Sequence, residues 1–403
     1  MKIIVIGGGA AGMVAAIEAA KSGADVTLME RMERIGKKLL ATGNGRCNLL
    51  NMGPPIYPGG AMLAHAVLAN CGAKEQVAFW NDLGLRLQVE AEGRTYPASG
   101  QASTVLDALR LALDCLGVRV VTQTTVKDIR PERYGFTVQT DDTCWHCDRV
   151  VVCAGGCAQP KLGSDGSLWP VLNRLGHALV KPRPALTQII TDTVPIKGMS
   201  GIRVKASVAV VRHDQVIHAE CGEVLFTDYG VSGVCVMQCA RFVEKGSVLR
   251  LNLLQGMGFG SRKEALDELL RRRVYWANQP LERLLTGICL PKLAANLCME
   301  AGIRYRDRLV ASLTDEEAEA LSQVMGAFDL KVKGVKDFAH AQVTAGGLDI
   351  SQFNPQTMES YMIPGLYACG EMLDVDGSCG GFNLMFAFGS GILAGRACVE
   401  EKA

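Results

Sequence analysis

Residues 2–30 read "KIIVIGGGAAGMVAAIEAAKSGADVTLME", and the arrangement of this stretch decides the fold. The apolar run after Lys2 is typical of a strand that is buried on both faces. The glycines at 7, 9 and 12 form a G-x-G-x-x-G pattern, and the following segment reads as a helix closed by Gly23. A second strand then ends at Glu30. The stretch therefore predicts a strand–helix–strand unit.

Each part of this unit has a physical role in holding a dinucleotide. Gly7 permits a tight turn, Gly9 lets the backbone approach a pyrophosphate, and Gly12 allows the helix to pack closely on the strand. The helix N-terminus offers free N–H groups to the anion, and the carboxylate of Glu30 can accept hydrogen bonds from a ribose. Because all four parts occur in the required order and spacing, the sequence predicts a dinucleotide site.

The composition supports a globular protein of two or three domains. The chain has 403 residues, is 48% hydrophobic and carries a net charge of +1. This balance gives no global electrostatic reason to bind nucleic acid or a membrane surface. A signal peptide is disfavoured because three glycines and then Glu18 interrupt the apolar start. The 15 scattered cysteines fit a reducing compartment, so we expect a cytoplasmic protein.

The Cys144 and Cys147 pair has the C-x-x-C spacing of a redox motif. The surrounding sequence, however, predicts a β-hairpin with Asp141 and Asp142 in its turn. Redox pairs of this spacing are usually placed at a helix N-terminus. We therefore interpret the pair as structural.

The end of the chain favours FAD over NAD as the tightly held cofactor. "GLYACGE" at 365–371 predicts a short strand that ends at a glycine and an acid, and "GGFNLMFAFGSGILAGRACVEE" at 380–401 predicts a helix led by glycines. A nicotinamide enzyme has no need for this second glycine-rich unit. In flavoproteins of the glutathione-reductase type, such a terminal unit holds the ribityl chain and ring of FAD.

Several motifs together resemble the YhiN/BaiN-like family of bacterial FAD-dependent oxidoreductases. They are "GGGAAGMVAA", "KKLLATGNGRCNL", "CAGGCAQPKLGSDG", "GEVLFTDYGVSG", "VTAGGL" and "LYACGEMLDVDGSCGGFNLMFAFGSGILAG". The resemblance implies an α/β protein with a discontinuous FAD-binding Rossmann domain of the glutathione-reductase type, into which a β-barrel-like domain and a helical domain are inserted. The sequence pattern agrees with this architecture, because residues that alternate between polar and apolar are followed by helical patterns. The segments "SRKEALDELLRRRV" and "LTDEEAEALSQVMGAF" fit helices that begin at Ser261 and Thr314.

We predict four segments on this basis. The first part of the FAD-binding domain covers 1–182, the β-rich insertion 183–258, the helical insertion and return 259–340, and the C-terminal part of the FAD-binding domain 341–403. No metal site is predicted.

The motifs and the resemblance imply a set of cofactor-binding residues in three groups. Around the dinucleotide they are Gly7, Gly9, Gly12, Glu30, Val126, Ala154 and Gly155. Beside the flavin they are Lys38, Thr42, Gly43, Asn44, Arg46, Cys47 and Asn48. In the C-terminal unit they are Gly370, Glu371, Asp374, Gly381, Phe382, Asn383 and Leu384. Val126 is expected on the strand after the first crossover, with its backbone on adenine.

The candidate catalytic residues are Cys47, Arg46 and Tyr229, because flavin chemistry usually needs a proton donor on the far side of the substrate. Two interpretations of Cys47 follow from its neighbours. In one, Arg46 and the glycine-rich loop lower the pKa of the thiol. In the other, which is favoured because free cysteines are commonly buried, Cys47 packs against the cofactor. NAD(P)H is the expected transient electron donor, although no second G-x-G-x-x-G follows a strand.

Three functions remain open from the sequence. The first is reduction of an activated C=C bond in a small steroid-like or bile-acid-like molecule. The second is reduction of an RNA base, uridine to dihydrouridine in ribosomal RNA, motivated by the arginines at 271–273 and 304–308. The third is a non-catalytic flavin-bearing protein that binds RNA or senses redox state.

Overall fold

The computed structural model describes residues 1–400 and divides into two compact units. Unit 1 contains Met1–Pro184 and the described residues from Ala341 onward, and unit 2 contains Ala185–His340. The predicted bounds of the four segments stay predictions. The further division of the insertion into a β-rich and a helical domain stays a prediction, because both parts lie in unit 2.

The first part of unit 1 alternates strands and helices. In chain order it contains β1 (Lys2–Ile6), α1 (Ala10–Lys21), β2 (Asp25–Met29), α2 (Lys37–Ala41), β3 (Leu50–Asn51), α3 (Ala61–Asn70), α4 (Ala73–Asp82), β4 (Leu87–Val89), β5 (Arg94–Pro97), α5 (Ala102–Cys115), β6 (Arg119–Val121), β7 (Val126–Pro131), β8 (Phe136–Thr140), β9 (Cys144–Cys147), β10 (Arg149–Val152), α6 (Trp169–Arg174) and β11 (Leu179–Ala185).

Unit 2 and the end of unit 1 follow. Unit 2 contains β12 (Ile189–Thr191), β13 (Arg203–Arg212), β14 (Gln215–Thr227), β15 (Gly230–Ser232), α7 (Val234–Cys239), β16 (Val248–Asn252), α8 (Arg262–Tyr275), α9 (Pro291–Glu300), α10 (Asp315–Gly326) and β17 (Phe328–Val335). Unit 1 ends with β18 (Val343–Leu348), β19 (Leu366–Ala368) and α11 (Phe382–Ala397).

A parallel sheet forms the centre of unit 1. Its strand order is β19-β10-β1-β2-β6, and every neighbouring pair is parallel. Strand β1 lies in the middle and is buried from Ile3 to Ile6, which explains its uninterrupted apolar sequence. The C-terminal strand β19 completes one edge, so the fold of unit 1 depends on both ends of the chain.

Helices α1 and α11 pack against each other beside this sheet. A Cβ on Gly391 would lie 2.4 Å from the carbonyl oxygen of Ala11, and a Cβ on Gly395 would lie 2.4 Å from that of Ala15. The buried Glu18 of α1 accepts a hydrogen bond of 2.6 Å from Nε of Arg396. Glycine is required at both contacts because any side chain would enter the backbone of α1.

Unit 2 contains a closed barrel with the strand order β12-β15-β14-β13-β16-β17. The barrel was expected within 183–258, but its sixth strand, β17, comes from the segment predicted as the helical insertion and return. The predicted helix starts are confirmed: Ser261 Oγ accepts the N–H of Glu264 at 3.1 Å, and Thr314 Oγ1 accepts that of Glu317 at 3.2 Å.

Two local segments can be compared with their sequences. The turn-forming residues of 31–51 disfavour a helix, but Lys37–Ala41 is a short α-helix. The β-hairpin around Cys144 and Cys147 is confirmed as β8 and β9. Cys144 is exposed and Cys147 is buried, since residues three apart on a strand face opposite sides.

Among residues 1–400, none of the helices combines the length and the apolar character that crossing a membrane requires.

The contact between α1 and α11 can be tested with Gly395→Ala. Alanine normally stabilises a helix interior by about 1 kcal/mol relative to glycine. Here the added methyl would lie 2.4 Å from the carbonyl oxygen of Ala15, so we expect the reverse sign. Overpacking of this kind lowers the free energy of unfolding by about 1–3 kcal/mol, measured by urea denaturation.

The matched control is Gly326→Ala in α10, where the new Cβ would meet only the Leu254 side chain, at 3.3 Å. That side chain can shift, so the change should stay within about 1 kcal/mol. Equal stabilities for wild type and Gly395→Ala would contradict the close helix contact.

Candidate flavin site

The glycine loop between β1 and α1 has one open and two crowded positions. A Cβ on Gly7, which has φ +104°, would lie 2.5 Å from the carbonyl oxygen of Cys153. A Cβ on Gly12 would lie only 1.9 Å from that of Gly7. At Gly9, by contrast, an added Cβ would find no atom of the described residues within 4 Å. The loop therefore leaves room at its middle glycine, where the backbone has to approach a pyrophosphate.

The N-terminus of α1 suits an anion at this open side. Its N-cap is Gly9, for which residues 1–400 provide no side-chain cap, and its first turn lacks an acid. The first N–H groups of a helix have no partner within the helix and carry a partial positive charge. A pyrophosphate group would accept hydrogen bonds from these N–H groups and would balance their partial positive charge.

Glu30 follows β2 and is held beside the same loop. Its Oε2 accepts the N–H of Gly8 and its Oε1 that of Met32, both at 2.8 Å. The carboxylate is thus fixed at the end of the strand, where the sequence predicted a ribose contact. Val126 lies at the start of β7, in the antiparallel β7-β8-β9 sheet, and not on β6, the strand after the crossover. The expected strand for Val126 was wrong, and its contact with adenine stays a prediction.

The "TGNGRCN" segment at 42–48 has an unusual backbone. Four of its residues have positive φ: Gly43 (+55°), Asn44 (+54°), Gly45 (+82°) and Cys47 (+58°). This conformation is strained for Asn and Cys, and it persists only where the surroundings impose it. Strain of this kind concentrates at binding and catalytic sites.

Asn48 joins this segment to the N-terminus of α11. Its Oδ1 is buried and has no donor among the described residues. A Cβ on Gly381, the N-cap of α11, would lie 2.8 Å from this oxygen. A buried acceptor without a donor is unfavourable by about 1–3 kcal/mol. The pyrimidine edge of an isoalloxazine carries an N–H between two carbonyls, which suits Asn48 Oδ1 and the amides of the helix N-terminus.

Lys38 and Glu371 connect the N-terminal and C-terminal parts of unit 1. Lys38 Nζ lies 2.5 Å from Glu371 Oε2, and Glu371 Oε1 accepts the N–H of Thr344 at 2.8 Å. Asp374 accepts the N–H of Gly346 at 2.9 Å. Both carboxylates therefore bind β18, and their predicted contacts with the ribityl or phosphate region stay predictions.

The remaining residues of the two glycine-rich units surround these groups. Gly155 and Gly370 have positive φ, of +77° and +68°. The side chain of Asn383 bonds both the N–H and the carbonyl of Gly377 at 2.8 Å, which fixes the loop before α11. Unit 1 also contains the other predicted cofactor residues, Thr42, Ala154, Phe382 and Leu384.

Of the two interpretations of Cys47, activation by Arg46 is wrong. Burial raises the pKa of the Cys47 thiol to about 12. The guanidinium of Arg46 is instead directed to Glu90, with which it makes hydrogen bonds of 2.5 and 3.2 Å, and lies 4.1 Å from the centre of the Tyr96 ring. Cys47 is therefore a protonated, packed side chain at neutral pH.

Tyr229 belongs to unit 2, in the turn between β14 and β15. The Nζ of Lys336 lies 4.0 Å from the centre of its ring. Its predicted role as a proton donor stays a prediction.

Sequence reasoning missed three polar residues that are part of the site. Thr344 and Ser164 are linked to Glu371 and Lys38, and Arg31 forms an ion pair with Asp165. Arg31 directly follows Glu30, and "GSDG" at 163–166 is a polar turn after the strand that ends beside Gly7. These positions in the sequence could have indicated that both residues belong to the site. The pairing of Arg31 with Asp165, however, cannot be predicted from sequence.

Comparison with known proteins places this site in a family. The family described as "HI0933-like protein Rossmann domain" matches residues 1–397. A 3-dehydro-bile acid delta(4,6)-reductase of Clostridium scindens is 37% identical over 99% of this chain and 99% of its own length. A ribosomal RNA dihydrouridine synthase of Haemophilus influenzae is 27% identical over 96% of both chains. The enzyme of that name from Escherichia coli is 27% identical over 99% of this chain and 98% of its own.

The buried state of Cys47 predicts its reactivity toward iodoacetamide. In the folded protein at about pH 8, exposed thiols react, while a buried thiol with a raised pKa stays protonated and unlabelled. We expect rapid labelling of Cys115, Cys144 and Cys221, which are exposed, and protection of Cys47. Peptide mass spectrometry after timed labelling measures this, with the denatured protein as control. Labelling of Cys47 as fast as Cys144 would contradict the assignment.

Proposed function

The chain belongs to the HI0933-like family and is an FAD-dependent oxidoreductase, and from that premise we propose that it reduces an activated C=C bond of a small steroid-like or bile-acid-like molecule with electrons from NAD(P)H. The observation that carries the substrate class is the 37% identity, over nearly the full length of both chains, to a relative named as a bile-acid reductase. FAD, when bound, supplies hydride transfer to an electron-poor double bond.

The residues of unit 1 hold and orient the cofactor in this proposal. The Gly7–Gly12 loop and the first amides of α1 take the pyrophosphate, and Glu30 takes a ribose. Asn48 and the first amides of α11 take the pyrimidine edge of the ring. The positive end of α11 favours negative charge there, which suits an enzyme that accepts electrons from a nicotinamide.

Ribosomal RNA is the second candidate substrate, because two relatives that are 27% identical bear that activity in their names. The arginines that motivated it are largely paired with acids. Arg271 and Arg272 both bind Glu268, and Arg273 binds Asp315. A phosphate backbone would have to compete with these carboxylates, which favours the small-molecule substrate.

The proposed function is tested by two measurements on the FAD-loaded protein. Under anaerobic conditions, NADH or NADPH should bleach the yellow absorbance, and a 3-oxo steroid with conjugated C=C bonds should restore it. One equivalent of NAD(P)H and one proton should disappear for each C=C bond that becomes CH–CH, followed by mass spectrometry. A protein that neither nicotinamide bleaches would contradict the electron donor.

The RNA candidate is decided in cells. Ribosomal RNA from a deletion strain should keep its full dihydrouridine content if the proposal is right. Loss of dihydrouridine that is restored by the intact gene would replace the small-molecule substrate with RNA.

Of the three candidate proton donors, Tyr229 remains for this reaction. Cys47 is buried, and Arg46 is bound to Glu90. We expect Tyr229→Phe to keep bleaching by NAD(P)H and to lower turnover with the enone by about 10²-fold or more. Rapid mixing separates the two half-reactions, and Tyr275→Phe, at an exposed tyrosine of α8, is the control that should keep wild-type turnover. A Tyr229→Phe variant with unchanged turnover would remove this assignment.

A further inference from the structure

The segment 156–166, "GCAQPKLGSDG", is fastened at three points within unit 1. Near its start, Oγ1 of Thr344 accepts the N–H groups of Cys157 and Ala158 at 2.8 and 3.0 Å. Near its end, Ser164 Oγ lies 3.4 Å from Nζ of Lys38. The neighbouring Asp165 forms an ion pair with Arg31. The segment therefore links the predicted flavin end of the site, at Lys38, to the predicted adenosine end, at Glu30 and Arg31.

The end of this segment lies directly on the residues that follow β2. A Cβ on Gly163 would lie 3.1 Å from Cγ of Met32 and 3.8 Å from Oε1 of Glu30. Glu30 is in turn bonded to Gly8 in the glycine loop. Arg31 follows Glu30 in the chain and forms its ion pair with Asp165 of the segment 156–166.

Arg31 has one buried donor that lacks a partner among the described residues. Its NH1 group binds Asp165, whereas its Nε is buried and has no acceptor in the described part of the chain. The guanidinium is planar and carries donors in a fixed arrangement, so holding NH1 on Asp165 also fixes the direction of Nε. A buried donor on a charged group is strongly unfavourable without an acceptor. An acceptor from a ligand would remove that penalty.

We propose that Arg31 is a ligand of the adenosine half of FAD, donating from Nε to a ribose oxygen or a ring nitrogen, and that Asp165 positions it. The charges of the residues at the adenosine end favour an uncharged acceptor on the ligand. Glu30 and Asp165 are both acids and Arg31 is the base between them, so the three together disfavour a 2′-phosphate. This assignment extends the cofactor site to a residue that the motifs did not indicate.

Three variants distinguish the contribution of the Nε donor to cofactor binding from that of the ion pair with Asp165. Arg31→Gln removes both. Arg31→Lys keeps a positive charge for Asp165 but has no Nε donor, and Asp165→Asn keeps Nε but releases NH1. The matched control is Arg34→Gln. Arg34 is an exposed arginine three residues after Arg31, and its ion pair with Glu33 is long, at 3.9 Å.

Binding is measured on the full-length apoprotein, with FAD by fluorescence quenching and with ADP by competition against FAD. We expect Arg31→Gln and Arg31→Lys to weaken FAD and ADP binding by about tenfold or more, and Asp165→Asn to weaken both by a smaller factor. FMN, which lacks the adenosine half, should bind all four variants as it binds the wild type. Thermal melting of each apoprotein establishes that the variant is folded.

Unchanged affinity for FAD in both Arg31 variants would overturn the proposal. A folded variant that binds FAD more weakly but ADP as tightly as the wild type would also overturn it, because Arg31 would then act at another part of the cofactor. A tenfold loss of FAD affinity in Arg34→Gln would also overturn the proposal, because any nearby positive charge would then suffice for binding. The cofactor assignment itself fails separately, if wild-type protein binds no FAD.

Discussion

Helices α1 and α11 touch backbone to backbone, and the cofactor site depends on this contact. Gly391 and Gly395 have no side chains between the helices, and the carbonyl oxygens of Ala11 and Ala15 occupy the space that a Cβ would need. Each helix begins at a glycine N-cap, Gly9 for α1 and Gly381 for α11. The contact therefore fixes, within one unit, the two helix N-termini that are predicted to hold the pyrophosphate and the flavin ring of one dinucleotide. Since the first helix follows β1 and the second follows β19, both chain ends are needed before the site exists.

Two of the unpaired buried polar atoms of unit 1 belong to residues of the predicted cofactor site. Asn48 Oδ1 is an acceptor without a donor, and Arg31 Nε is a donor without an acceptor, among the residues that the structure describes. The two atoms belong to opposite ends of the predicted site, and Gly9 is open between them. Leaving such groups buried and unpaired destabilises the folded chain, whereas a ligand that pairs them stabilises it. A cofactor that paired both atoms would therefore raise the stability of the folded protein.

The sequence predicted those parts whose information is local. The turn at Gly7, the close packing at Gly12 and the caps at Ser261 and Thr314 depend on residues a few positions apart, and each is found. The closure of the barrel by β17 was not predicted, because pairing with β12 and β16 joins residues far apart in sequence. The sequence left the reactivity of Cys47 open for a related reason. Adjacency to Arg46 suggested a lowered pKa, but burial and the binding of Arg46 to Glu90 are set by tertiary contacts. Arg31 was missed because its partner Asp165 lies more than a hundred residues away.

The arginines of α8 show how far a charged sequence can differ from a charged surface. In the sequence, 271–273 form a basic run, but the helix places Glu268 one turn before Arg271 and Arg272, and tertiary contact places Asp315 on Arg273. Each exposed pair contributes little to stability, so the acids do not hold the helix together. They do neutralise the field that a polyanion would need for attraction at a distance. An RNA would have to displace carboxylates from arginines that already have good partners, whereas an uncharged steroid nucleus needs none of them. The basic run of α8 therefore gives less support to an RNA substrate than its number of arginines suggests.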